Sequence, residues 1–231
     1  MKKEILLPGG IEQYEFLTSN ISLKGMRVLV AGASAEPLAE KISKEANVEI
    51  IVDDYESLIS ANLYLRNKIA VKLMDFSVTD YDPETFDLIY AQASVSSINR
   101  NKIFKELKRI LKPEGILCVG EIFLKKENPP QFIKDILEDS NQLILTAEDL
   151  EKYYRERNFK IMEMKNLSDT LEEYYSSSRK KLRDSLGGLS DEEKSYYKKL
   201  LNKISHETNA FLKQGADKYL GLKTFLLKKG N

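Results

Sequence analysis

The chain has 231 residues, and its 36 Lys plus Arg balance 36 Asp plus Glu, giving a formal net charge of zero. That length suits one α/β domain with a sizeable core, and the balanced charge leaves no net positive field to hold a nucleic-acid backbone or an anionic membrane surface. A single cysteine, Cys118, and a single histidine, His206, argue against an intramolecular disulfide framework, a Cys- or His-based metal site and a His-dependent triad.

The N-terminal MKKEILLPGG has too short an apolar stretch for a signal peptide, and no run approaches the ~18–20 apolar residues that span a bilayer, so a cytoplasmic protein without a membrane partner is expected. After a short segment containing Ile11 to Leu17, the Lys24-Gly25 turn leads into a first strand, Arg27 to Val30. Pro37 suits a first helical position, and Leu38, Ile42 and Ala46 supply the apolar face of the helix that follows. Val48 to Val52 reads as the second strand, ending in Asp53 and Asp54; Ser57 to Arg66 is helical in pattern, and Ile69 to Met74 is the third strand.

The turn-rich Thr79 to Thr85 then leads into FDLIYAQASVSSINRNKIFKELKRILKPEGILCVGEI, residues 86–122. Leu88 to Tyr90 and Ile116 to Val119 are short apolar runs of the kind buried on both faces of a parallel sheet. Between them Ile103, Leu107, Ile110 and Leu111 make one helical stripe, stopped by Pro113 and Gly115. Cys118 lies within the second apolar run and reads as a core residue rather than a reactive thiol.

Beyond it, Pro129-Pro130 opens an acceptor-side segment, and Thr146 with Asp149 forms a capping box for a helix through Arg157. Phe159 to Met164 is a sixth strand, and Tyr219 to Lys228 a closing one. Two helical stretches, Asp169 to Leu186 and Ser190 to Leu212, lie between them; Gly187-Gly188 separates them, and Ser190 with Glu193 caps the second. Tyr-Tyr pairs at 153/154, 174/175 and 196/197 read as amphipathic helix positions with one ring of each packed inward, or as rings lining a substrate cavity. Strict alternation of strand and helix argues a doubly wound parallel sheet, one domain over 1–231 with a helical insert at 167–215.

In such a sheet a ligand sits beyond the carboxyl ends of the strands, at the switch point between the first and fourth. Three loops converge there. Gly32 in VLVAGASAEP allows a tight turn against a ligand, Asp53 can accept from both hydroxyls of a ribose, and Asp75 with Phe76 can read an adenine edge.

FDLIYA followed by LKRILKPEGIL resembles the fourth and fifth strands of class I S-adenosylmethionine (SAM) dependent methyltransferases, with Glu114 in place of the first of two glycines. The resemblance implies a Rossmann-like seven-stranded sheet, mostly parallel, with the last strand antiparallel between the fifth and sixth. It implies SAM as cofactor, bound by Ala31, Gly32, Ala33, Asp53, Asp54, Asp75, Phe76 and Ala91, and a small-molecule methyl acceptor. The chain departs from the family at the glycine-rich loop: Val30 replaces the acid, and Ser34 and Glu36 replace the later glycines. A Cβ at 34 or 36 crowds the methionine moiety unless the loop shifts outward; Glu36 is either a ligand for the ammonium group or a solvated first-turn acid. That departure keeps open a second reading, a methyltransferase-like binding or scaffold protein without catalysis.

VLVAGAS is also similar to the start of a short-chain dehydrogenase, but the later glycines are missing, and the Tyr64–Lys68 pair falls before the third strand, where that family does not use it. Methyl transfer is an in-line displacement that needs orientation and water exclusion more than a dedicated base. Tyr14, Ser94 and Glu121 are the acceptor-side catalytic candidates. The insert reads as a lid over the acceptor pocket, with a packing hairpin or a homodimer contact as the alternatives.

Overall fold

The computed structural model describes residues 5–188 and 190–230, without the side chains at 185–188, 191–194, 196–197 and 199–200. The Ser190/Glu193 cap and the Tyr196/Tyr197 pair expected from sequence therefore lie outside the described side chains.

The strands are β1 (Arg27–Ala31), β2 (Asn47–Val52), β3 (Ala70–Leu73), β4 (Phe86–Gln92), β5 (Leu111–Leu124), β6 (Phe159–Asn166) and β7 (Leu220–Lys229). They form one seven-stranded sheet in the order β3-β2-β1-β4-β5-β7-β6. The β1–β5 pairings are parallel, and β7 runs antiparallel to both neighbours. The helices are α1 (Glu12–Asn20), α2 (Glu36–Ile42), α3 (Tyr55–Leu65), α4 (Arg100–Ile110), α5 (Gln131–Asp139), α6 (Ala147–Glu156), α7 (Thr170–Gly188) and α8 (Asp191–Lys213).

The two sheet faces carry separate cores. Leu17, Leu38, Ile42 and Leu65 from α1 to α3 pack on one face, against Val28, Ile50 and Tyr90. Ile103, Phe104 and Leu107 from α4 join Tyr153 and Tyr154 from α6 on the other, against Ile89, Val119 and Phe225. Both rings of this tyrosine pair are buried, so the expectation of one inward ring per pair fails here. A third cluster sits at the carboxyl end of β5, where Ile133 of α5, Leu171 and Tyr175 of α7 and Phe211 of α8 close over Leu220 and Leu222 of β7. Each such fully buried aliphatic side chain contributes about 1.5–3 kcal/mol.

Two local expectations change. Leu111 begins β5 instead of ending α4, because the residue before Pro113 is pushed out of helical backbone and the chain extends early. Glu114 then makes the turn in left-handed conformation, at φ 63°, the backbone state that the family's glycine takes without cost. The other change is α5: the Pro129-Pro130 segment continues into an amphipathic helix with Ile133 fully buried.

Candidate active site

Two chambers open beyond the carboxyl ends of β1, β2 and β4, where the strand order switches. The first is a cavity of about 340 Å³ bounded by Gly32 to Ser34, Asp53, Phe76 and the Gln92–Ser94 loop, with α5, α7 and α8 above it. The second, about 520 Å³, lies on the β3 side and is bounded by Asp53, Asp75, Phe76, Ser94 and the Ser97–Asn99 loop. Asp53, Phe76 and Ser94 line both, so the two form one continuous groove.

Gly32 takes φ 132°, and a Cβ there would stand 2.7 Å from the Cβ of Ser94, so the first and fourth strand-end loops meet only because position 32 has no side chain. Ser94 fixes that contact by donating its Oγ proton to the carbonyl of Ala31 at 2.6 Å. Ser34, where the family pattern has its second glycine, sits at φ 60° and lines the first chamber. The loop thus keeps a glycine-like bend while carrying a side chain, at a cost of roughly 1–2 kcal/mol. Glu36 is buried in the first turn of α2, which removes the solvated-acid alternative.

The two neighbouring aspartates at the end of β2 separate in role. Asp54 caps α3, accepting from the Ser57 amide at 2.8 Å, while Asp53 lines both chambers and has no side-chain partner among the described residues. Asp75 accepts from the amide and hydroxyl of Ser77, each at 2.7 Å, and these bonds hold its carboxyl below the usual carboxylate range. It faces the second chamber with Phe76 as the buried floor. Ala31 and Ala91 are register partners in adjacent strands; both are buried behind the groove and line neither chamber. Ala33 lines the first chamber.

The catalytic candidates fare differently. Ser94 is in the groove. Tyr14 packs with the α1–α3 core, the Lys41 ammonium 5.9 Å from its ring centroid, and lines neither chamber; burial, then the charge of Glu45, raises its hydroxyl pKa. Glu121 is fully buried and ion-paired with Arg100, accepting also from Tyr154 and from Ser96 Oγ at 2.7 Å. Side chains alternate along β5: Val119 and Phe123 face the α4/α6 core with Glu121, while Ile122 faces the first chamber. The acid therefore points away from any acceptor.

Sequence reasoning missed how the N-terminal segment is held over the groove. Gln92 Nε2 donates to the carbonyls of Pro8 and Gly10 at 2.8 and 3.0 Å, Tyr90 donates to Gln92 Oε1 at 2.6 Å, and buried Gln13 donates to Ala91 O at 3.1 Å. Leu6, Leu7 and Pro8 consequently wall the first chamber. Two amides in otherwise apolar or helical runs were the available signal. Also missed were Tyr174, Tyr175, Phe211 and Glu207, which close the chamber from α7 and α8.

Residues 29–119 match a family model described as a methyltransferase domain. That match and the strand order make the chain similar to class I SAM-dependent methyltransferases, whose fold it shares. Among characterised proteins, the phosphoethanolamine N-methyltransferase of Plasmodium falciparum (isolate 3D7) is 25% identical over 170 residues, which are 70% of this chain and 64% of that protein. The Haemonchus contortus phosphoethanolamine N-methyltransferase 2 in complex with SAM superposes with a TM-score of 0.77 at 18% identity, covering 97% of this chain and 54% of that one. Geranyl diphosphate C-methyltransferase from Streptomyces coelicolor A3(2), with Mg²⁺, geranyl diphosphate and S-adenosylhomocysteine, gives 0.70 at 14% identity over 94% of this chain and 78% of that one. The chain thus spans less than two thirds of the length of the phosphoethanolamine methyltransferases it resembles.

Proposed function

We propose that this chain is a SAM-dependent methyltransferase that acts on a small-molecule acceptor. The observation that carries the reading is Asp53, an unpartnered carboxylate shared by two joined chambers at the switch point. Asp53 would accept from the ribose hydroxyls, Asp75 and Phe76 would hold the adenine, and the Gly32–Ser34 turn would receive the methionine end. The acids lining the groove suit a cationic cofactor; neither chamber has a Lys, Arg or His in its lining among the described residues. When bound, SAM supplies a methyl group on a sulfonium, open to in-line displacement.

The protein's part is orientation and exclusion of water. Leu6 to Pro8, Ile122 and the apolar faces of α5, α7 and α8 enclose the first chamber, where a nucleophile lowered toward the groove loses most of its solvent. Ser94, with its proton committed to Ala31 O, keeps lone pairs to accept from an acceptor's N–H or O–H. No histidine lines the groove among the described residues, and an acceptor that is already a good nucleophile needs none. The α7–α8 insert is then a lid, and a lone cysteine held as a free thiol suits the reducing cytoplasm. No helix among the described residues is long and apolar enough to cross a membrane.

Calorimetric titration with SAM and S-adenosylhomocysteine tests the reading. Asp53→Ala and Asp75→Ala should each weaken binding about ten- to a hundred-fold, the loss of about 1.5–3 kcal/mol from a hydrogen-bonded carboxylate. Asp54→Ala should leave affinity intact and lower helix stability instead, by about 1 kcal/mol. Wild-type affinity in both of the first two variants would remove the assigned site, and no binding by the wild type would favour the non-catalytic scaffold. Hydrogen exchange in α7 and α8 should slow when S-adenosylhomocysteine binds; protection that follows protein concentration instead would mark the insert as a homodimer contact.

A further inference from the structure

The acceptor end of the first chamber has its own chemistry. Tyr174 and Tyr175 of α7 line it, with rings meeting edge to face at 4.9 Å, and Tyr175 stacks on Phe211 of α8 at 4.4 Å. Glu207, one turn before Phe211 on α8, lines the same chamber and accepts from Ser140 Oγ at 2.7 Å. That bond orients one carboxylate oxygen and leaves the other without a partner among the described residues. Burial, reinforced by the charge of Glu207, raises the pKa of the Tyr174 hydroxyl, and burial raises that of Tyr175, so both tyrosines stay neutral.

From this we infer that the acceptor is an amine without a phosphate, whose nitrogen is held, in its cationic form or as the methylated ammonium product, by Glu207 and the aromatic rings that line the chamber beside it. The inference rests on the proposed methyl-transfer function and specifies its substrate class. Three features support it. An aromatic wall beside a carboxylate is the arrangement that binds alkylammonium groups, through the ring quadrupoles and one counter-charge. The charged side chains lining the chamber are Asp53 and Glu207, both acids, so a phosphate there would meet two negative charges and no basic partner among the described residues. The relatives named above act on or bind phosphorylated molecules, and this chamber is built against that group.

The reaction balances without a further reagent. The cationic acceptor would first release one proton to solvent; the free amine's lone pair would then form the new N–C bond as the S–C pair returns to sulfur, leaving a neutral thioether and a methylated ammonium product. Glu207 serves as the counter-charge for the cation that enters and the cation that leaves.

The test uses choline, its uncharged isostere 3,3-dimethylbutan-1-ol and phosphocholine as probes, titrated into the full chain saturated with S-adenosylhomocysteine. Choline should bind at least ten-fold more tightly than either of the others, and Glu207→Gln, which can still accept from Ser140, should erase the preference over the isostere. Tyr175→Leu should weaken choline several-fold more than the isostere. Equal affinities for choline and the isostere, tighter binding of phosphocholine, or a preference that survives Glu207→Gln would each overturn the inference. S-adenosylhomocysteine titrated alone reports separately on the cofactor site, so a failed acceptor assignment is distinguishable from a failed methyltransferase assignment.

Discussion

Replacing Arg100 by Met should cost about 3–5 kcal/mol of folding stability, the penalty for stranding a buried carboxylate without its counter-ion. Arg100 and Glu121 are 1% and 0% exposed, and the pair stands between β5, α4 and α6 with Tyr154 and Ser96 as further donors to the acid. The guanidinium also lies over Tyr153, 4.5 Å from the ring centroid, while its Nε has no hydrogen-bond partner among the described residues. Its surroundings are therefore good but incomplete, and an apolar replacement of both partners should be tolerated far better than the loss of either. Urea unfolding of Arg100→Met, Glu121→Met and the double variant measures this as a cycle. The double variant should be more stable than the sum of the single losses requires, by at least about 2 kcal/mol. A domain of this size has about 5–15 kcal/mol in total, so Glu121→Gln, which keeps acceptor capacity, provides a milder single variant if the others fail to fold. Strict additivity, or single losses under about 1 kcal/mol, would show that the pair is not coupled as drawn.

The second large effect is expected at Gly32. Alanine there must adopt φ 132°, which an L-residue rarely takes, and must also place its Cβ 2.7 Å from Ser94. Strain of about 1–3 kcal/mol from the backbone and a similar overpacking term together predict a loss of about 2–4 kcal/mol. Ser94→Gly in the same chain removes the steric contact and leaves the backbone strain, so it should restore about half. Thermal or urea unfolding measures both. Cofactor affinity should fall in parallel, because the two loops that Gly32 brings together also bound the groove. A Gly32→Ala protein with unchanged stability would mean that the loops do not approach each other at this point.

Both effects concern residues whose roles were unequally legible from local pattern. Gly32 was legible: a glycine at the end of an apolar strand and before a helix start has few explanations, and spacing placed Asp53 and Asp75 at the ends of the next two strands. The sheet was legible for the same reason, since runs such as Leu88 to Tyr90 must be buried on both faces and their alternation with helical stripes leaves a doubly wound sheet as the economical solution. The antiparallel course of β7 came from family resemblance, and the strand pairing bears it out.

What periodicity could not convey was which way polar side chains point and what they meet. Glu121 looked free to reach an acceptor, yet the alternation along β5 turns it into the opposite core, toward an arginine 21 residues earlier in the chain. Tyr14 lay on the correct segment but the wrong side of its helix. Asp53 and Asp54 are adjacent and chemically identical, and only the backbone at the start of α3 assigns one to the cap and the other to the groove. The acceptor end was hidden altogether: Ser140 follows α5, Tyr175 and Glu207 come from α7 and α8, and they converge because the third core cluster folds those helices over the carboxyl end of β5. Local pattern alone determined the strands, the turn at Gly32 and the acids beyond them, because each follows from short-range backbone and burial constraints. The tertiary structure alone decided the buried ion pair and the aromatic chamber, because long-range packing brings those side chains together.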